Sequence, residues 1–421
     1  MPTSPELNRG ARGDEAYILN MENLEKLNRE EEGEKRKTFE KERAQKQEKE
    51  SRELISEMND KLLDYNEMVK ELKKRELFDG QIERTKAKYG EVLDVADFLT
   101  PKDWEIMTVL ELFDCNTLKH SIGAFFIAKQ KIDKYPQIEK RFEEEGVKME
   151  QLYRSCLLHD IGKISVPKFI LDNKLRDNEW GERLLGMIKE DADWEKKIPE
   201  KYRNDKEVLE QLKQAKDAEE IVEKLKDYNL RPVRLVPVKN GLRAEEIAKL
   251  EKMGISSDST LMDIIARHEK ASQDILKNQG LEVEAELAGH HHAPSKEKEI
   301  ESILTIANRV SNREEMEKVI SGWLHLADVR EAMLSAKRGY KSSESKISTL
   351  GAFVRDAKEG LVNPAMVRLW IKDDLGQMKS DSKFKEIEAL LDVPDKDIKD
   401  AKSLVGKHDL EKIYKFLKET V

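Results

Sequence analysis

LLHDIGKISVPKFIL, residues 157–171, places an imidazole and a carboxylate side by side, His159 and Asp160, at the end of an apolar helical run that breaks at Gly162. Adjacent residues on a helix point about 100° apart. The pair can therefore set one imidazole on one metal ion while its carboxylate reaches between two. Lys163 follows directly, a cation well placed to meet a phosphate oxygen.

Working outward, further donors recur in an order that suits a metal centre built from several helices. Upstream, DCNTLKHSIGAFF (114–126) carries Asn116 and His120 four apart, on one helix face. Downstream, ARHEKASQDIL (266–276) puts His268 on another helix, AELAGHHHAPS (285–295) ends a helix in three imidazoles, and HLADVREAM (325–333) contributes Asp328. The chain has eight histidines, and five of them (His120, His159, His268, His291, His292) fall in this series, with His290 adjoining it. Histidine is the commonest side-chain metal ligand, and carboxylates supply the charge that holds and bridges divalent ions.

Taken singly, each element has a plainer reading. A His-Asp dipeptide is usually a surface accident or a satisfied core pair, and a lone histidine on a helix more often caps or hydrogen-bonds than ligates. A triple histidine binds metal adventitiously, and Asp328 could be an N-cap. The ordered set favours the metal reading over all of these. His325 and His408 belong to no local motif and read as ordinary histidines.

Composition bounds the remainder. The 421 residues are 38% hydrophobic and 39% charged, a polar chain with long solvated helical faces but enough apolar material for a core. With 77 basic against 86 acidic residues the net charge is −9, so binding to a nucleic-acid polymer is not indicated. Cys115 and Cys156 form no CxxC pair and read as buried free thiols of a reducing compartment. The first twelve residues lack the apolar core of a signal peptide, and no run approaches membrane-spanning length. A soluble cytoplasmic protein is the expectation.

Strand alternation is rare. Arg231–Gly241 (RPVRLVPVKNG) is the best candidate for extended chain, and the fold class expected is all-α. Thr100 as cap and Pro101 at the first helical position open the core pattern. Helical stretches continue through Phe142, Met149–Leu158, Leu261–Lys277 and Val283–His290. Residues 1–95 form a charged helical arm, in which 34–53 has almost no apolar stripe and reads as solvated helix or disorder. Ile55, Met58, Leu62, Tyr65, Val69 and Leu72 follow spacings of three and four. That seam fits either a homodimeric coiled coil or a helix packed on its own domain. A charged helical insertion spans about 177–257, and a helical tail occupies 376–421.

LLHDIGKISVPKFIL resembles the HDIGKI-x-P-x-x-IL signature of the HD-domain metal-dependent phosphohydrolases, in particular the HD-GYP branch. NTLKHSIGAFF is similar to the upstream helix carrying that family's first histidine. ARHEKASQDIL and AGHHHAPS resemble the next-ligand and double-histidine segments, and LADVREAMLSAKRGYK resembles the ADxxDAxxxxRxY segment. The likeness covers about 96–375, less the insertion. It implies a helical bundle, and metal ligation by His120, His159, Asp160, His268, His291, His292 and Asp328. It further implies Lys163 as a phosphate-facing catalytic lysine beside Asp160, Arg338 and Tyr340 at the site mouth, and cyclic dinucleotides as substrates.

The chain departs from that pattern in places. Asn116 stands where trinuclear members carry a ligating Glu, which favours a two-metal centre of Fe, Mn or Zn. The GYP loop is absent, Ala293 replaces an acidic residue, and Glu331 replaces the second Asp of its motif. The activity expected is hydrolysis of a cyclic dinucleotide or other nucleotide phosphoester, as a phosphodiesterase acting through a metal-activated hydroxide. The alternative is a sensor or scaffold that binds a nucleotide and recruits partners through its arm.

Overall fold

A computed structural model describes residues 41–61, 64–93, 97–292, 313–334 and 346–377, less Glu145, Lys174, Asn229 and Glu359. The expectations placed on 1–40, on Leu62, on Arg338 and Tyr340, and on 378–421 lie outside these residues. The chain divides into two compact units, Met1–Leu54 and Ile55–Val421.

In the first unit, residues 41–54 are helical and mostly exposed. Ion pairs four residues apart support the turn, among them Lys46–Glu50, Lys49–Glu53 and Glu48–Arg52. For its described part, the solvated-helix reading of 34–53 holds.

The second unit is helical among its described residues, with no strand there, as expected for the all-α class. Its core helices are α1 (Pro101–Phe113), α2 (Cys115–Ile132), α3 (Met149–Leu158), α4 (Leu261–Asn278), α5 (Glu282–Gly289), α6 (Arg313–Leu334), α7 (Lys346–Lys358) and α8 (Pro364–Gln377). Thr100 caps α1 in a reciprocal box with Asp103, and Thr260 caps α4 in the same way with Asp263. Asp114 closes α1 and caps α2, accepting from the Asn116 backbone N–H at 3.0 Å. Residues 106–113 of α1 are buried on every side, so this helix lies in the middle of the bundle.

Packing then fixes the order of the bundle. α2 lies against α1, α3 and α6, while α5 lies against α3, α4 and α6. The Arg154 guanidinium on α3 reaches Asp103 on α1 at 3.1 Å, Glu284 on α5 at 3.0 Å and the Phe98 carbonyl at 3.0 Å. Lys131 on α2 is buried between Asp373 and Asp374 of α8 and beneath the Trp370 ring. Arg330 on α6 meets Asp374 at 3.2 Å, joining three helices through one carboxylate.

Two sequence readings are revised. Arg231–Gly241 is not a strand: it folds as two 3₁₀ turns, Pro232–Arg234 and Val238–Asn240, with one isolated bridge from Pro237 to Thr260. Pro232 and Pro237 lack the N–H a ladder needs and hold φ near helical values, so alternation of apolar residues here reports burial rather than pairing. The apolar seam is likewise not one continuous helix, because Asp64 caps a new helix at Tyr65–Lys74. Ile55, Met58, Tyr65 and Leu72 are buried within this chain.

The charged segment 177–257 builds a small core of its own, with Trp180, Leu184, Ile198, Leu212, Ile221 and Leu235 inside. That core runs without a break into Val166, Ile170, Leu261 and Ile264. The segment is thus rooted on the end of the HDIGK loop and the start of α4. No helix among the described residues is long and apolar enough to cross a membrane.

The HDIGK loop is held from the N-terminal side by Asn59, whose side chain is wholly buried. Its amide donates to the carbonyls of Ile164 at 2.7 Å and Val166 at 3.0 Å, and its Oδ1 accepts from the Lys168 N–H at 2.9 Å. Asn59→Ala would leave two buried carbonyls and one partly buried N–H without this partner, and a buried unsatisfied group costs about 1–3 kcal/mol. Urea unfolding should show a loss of about 3 kcal/mol or more. An unchanged midpoint would mean that Asn59 does not secure this loop.

Candidate metal centre

α3 ends at Leu158 with His159 as its C-cap, and the chain then tightens into a 3₁₀ turn, Ile161–Ser165. The turn lies flat against α4 because Gly162 has no Cβ. An ideal Cβ there would fall closer than 3.0 Å to His268 O, Ser272 N and Ser272 Oγ. Ser272 Oγ accepts from the Gly162 N–H at 2.8 Å and donates to the His159 carbonyl. His268 and Ser272 stand four apart on α4, so the face that fits the turn also delivers an imidazole to it.

Every residue expected from the sequence to ligate is within the described set and drawn to one place. His120, His159 and Asp328 form one group, His268, His291 and His292 a second, and His159, Asp160 and His291 a third that joins them. Within each group the potential ligand atoms lie within 4.8 Å of one another. Asp160 faces both sides: Oδ1 stands 3.4 Å from His268 Nε2, and Oδ2 stands 3.5 Å from His159 Nε2 and 3.8 Å from His120 Nε2. Asp328 does the same, with Oδ1 2.5 Å from His120 Nε2 and 3.5 Å from His159 Nε2, and Oδ2 3.9 Å from His292 Nε2.

The imidazoles are oriented from behind. The Nδ1–H of His159 donates to the Cys156 carbonyl at 2.9 Å, that of His268 to Ile265 at 2.7 Å, and that of His291 to Ala288. A carbonyl only accepts, so the proton sits on Nδ1 and the bare Nε2 lone pair points inward. That is the tautomer a metal ligand requires. His120 is braced by Glu331, which meets its Nδ1.

The electrostatics match this arrangement. Burial works against ionisation of Asp160, but Lys163 and the surrounding imidazoles hold its carboxyl well below the ordinary carboxylate range. Asp328 is likewise held well below it by His120 and His159, against burial. Burial, with neighbouring imidazoles, keeps His291 far below its usual value, and burial lowers His268. The centre therefore offers ionised carboxylates and, at His268, His291 and His292, neutral imidazoles at neutral pH, while Asp160 and Asp328 push His159 up against the effect of burial. Two buried carboxylates need cationic neighbours to offset their desolvation. Lys163 Nζ supplies one at 2.5 Å from Asp160 Oδ2.

Whether the residues suit a metal is tested by His159. Its side chain is fully buried, and its Nε2 stands 3.5 Å from an oxygen of Asp160 and of Asp328 without a well-formed hydrogen bond among the described residues. A buried nitrogen left this way beside two carboxylates is costly unless a cation completes it. The donor set fits a borderline divalent ion.

Of the neighbouring side chains, His325 departs from the sequence reading. Asn116 lies four residues before His120 on α2, as expected, and is exposed at the start of that helix. His290 turns back to the Glu286 carbonyl at 2.7 Å and joins none of the three groups. Asp328 is in the body of α6 and caps nothing. His325, read as ordinary, is buried beside the centre: its Nδ1 meets the His291 carbonyl at 2.6 Å and its Nε2 meets Asp356 Oδ2 at 3.2 Å. His325, Asp328 and Glu331 follow one another at intervals of three on α6, a spacing that would have shown them sharing one broad face. Glu269, half-buried beside His268, is raised to about 7 by burial despite the nearby His290 and His325.

A family model described as HD domain matches residues 117–252. That match supports, for this region, the HD-domain superfamily of metal-dependent phosphohydrolases, an all-α fold whose members bind divalent metals. The matched stretch holds His120, His159, Asp160 and Lys163, while His268, His291, His292 and Asp328 lie beyond it in sequence and beside them in space. No curated protein and no solved structure matches the chain.

Proposed function

We propose that this protein is a two-metal phosphodiesterase acting on a cyclic dinucleotide or another nucleotide phosphoester. The observation that carries the reading is the buried Nε2 of His159, without a well-formed hydrogen bond and set among inward-facing imidazole nitrogens and two ionised carboxylates. His120, His159, Asp160 and Asp328 would hold one cation, and Asp160, His268, His291 and His292 the other. The ions are Fe, Mn or Zn by the softness of this donor set. When bound, such a pair supplies acidified water and Lewis acidity toward a phosphoryl oxygen.

The chain's own groups do the rest. Asp160, with one oxygen toward each side, spaces the two positions. The backbone carbonyls of Cys156, Ile265 and Ala288 keep the imidazoles in the tautomer that donates a lone pair. Lys163, partly exposed, offers its ammonium to a phosphate oxygen as charge builds there. Arg338 and Tyr340 complete the substrate contacts by their position in the sequence motif.

A substrate panel tests this reading: cyclic dinucleotides, dNTPs, ppGpp and bis(p-nitrophenyl) phosphate, each with added Mn²⁺ and with chelator. Hydrolysis of a phosphodiester that chelation abolishes is expected. Full activity in metal-free protein would refute the proposal. A nucleotide held through long incubation without product would instead favour a sensor that binds and signals.

A further inference from the structure

His325 was not expected near the centre, and it offers no free nitrogen to a metal. We propose that Asp356 and His325 form a positioning pair that fixes the His291–His292 turn, so that the cation held by His268, His291 and His292 depends on it. The inference rests on the two-cation reading above.

Three observations carry it. First, α5 ends at Gly289, so the His291 carbonyl has left the helix ladder, and the His325 ring is what it meets. The carbonyl can only accept, hence Nδ1–H of His325 donates to it at 2.6 Å. Second, His325 is itself held from behind, with Nε2 3.2 Å from Asp356 Oδ2, and both side chains are buried. Asp356 comes from α7, where Arg355 Nε also meets its Oδ1 at 3.2 Å. Third, the His325 ring stands edge-on to that of His292, with centroids 5.8 Å apart and planes at 89°.

One side chain thus anchors the peptide that links two ligand positions and walls one of the two rings. It sits one turn before Asp328 on α6, so the helix that places a carboxylate in the centre also braces the far side. Outer partners of this kind typically alter metal affinity 10–100-fold when removed.

Mn²⁺ titration followed by the free-ion EPR signal, with thermal unfolding of the same samples, tests the pair. Wild-type protein should bind two Mn²⁺. H325L should keep one and hold the other about 10–100-fold more weakly. H325N keeps an N–H near the place of Nδ1 and should recover most of the lost affinity. Asp356→Asn, which removes charge but little volume, should weaken the same single cation and leave the other unchanged. It answers the question if H325L does not fold. Variants that unfold at lower temperature while binding both ions as tightly as wild type would overturn the positioning role. Wild-type protein that binds fewer than two ions would instead overturn the two-cation reading, and this inference with it.

Discussion

Gly162→Ala is expected to cost the protein about 3 kcal/mol or more in urea unfolding, an unusually large effect for one methyl group. The reason is where that methyl would go. It would fall within 3.0 Å of the His268 carbonyl oxygen and the Ser272 nitrogen, and backbone of a well-packed helix cannot step aside as a flexible side chain would. The same intrusion would push the 3₁₀ turn off α4 and break the hydrogen bond from Gly162 N–H to Ser272 Oγ. Since His268 lies at the point of contact, loss of metal affinity should accompany the loss of stability. A Gly162→Ala protein as stable as wild type would mean that the turn does not lie flat on α4.

Asp160→Asn should remove hydrolysis, by a factor on the order of 10³ or greater, while leaving the helical content unchanged. The substitution keeps the volume of the side chain and removes the charge that faces both halves of the centre. An amide is a poor ligand and cannot serve two cations, so metal content after dialysis should fall together with the rate. The pairing of these two losses is the informative part. If Asp160→Asn kept both its metal and its rate, the carboxylate would be a structural partner of Lys163 only. Circular dichroism on the same samples separates loss of function from loss of fold.

The ligand candidates were legible in the chain because histidine is scarce in it. His120, His159, His268, His291 and His292 recur with the aspartates on stretches whose helical spacing is plain, and the fold brings all of them together. What surrounds them was not legible. Glu331, His325 and Asp356 act across helix contacts, and nothing local in the sequence tells a histidine that braces a carbonyl from one that merely fills space. Asn59 is a further case, since its three bonds span more than a hundred residues.

The extended reading of Arg231–Gly241 failed for another reason. Alternating apolar residues satisfy a pair of 3₁₀ turns as well as a strand, and the two prolines decided between them. The seam from Ile55 to Leu72 carried the right period, but period alone does not say whether the face it marks meets another copy or its own domain. Here Asp64 interrupts the helix, and Ile55, Met58, Tyr65 and Leu72 are buried within the chain.

Anomalous diffraction from crystals grown with Mn²⁺ would bear most directly on the whole account. Two peaks should appear, one among His120, His159, Asp160 and Asp328 and one among Asp160, His268, His291 and His292. Peaks confined to surface carboxylates, or none in a protein that still hydrolyses phosphodiesters, would contradict it.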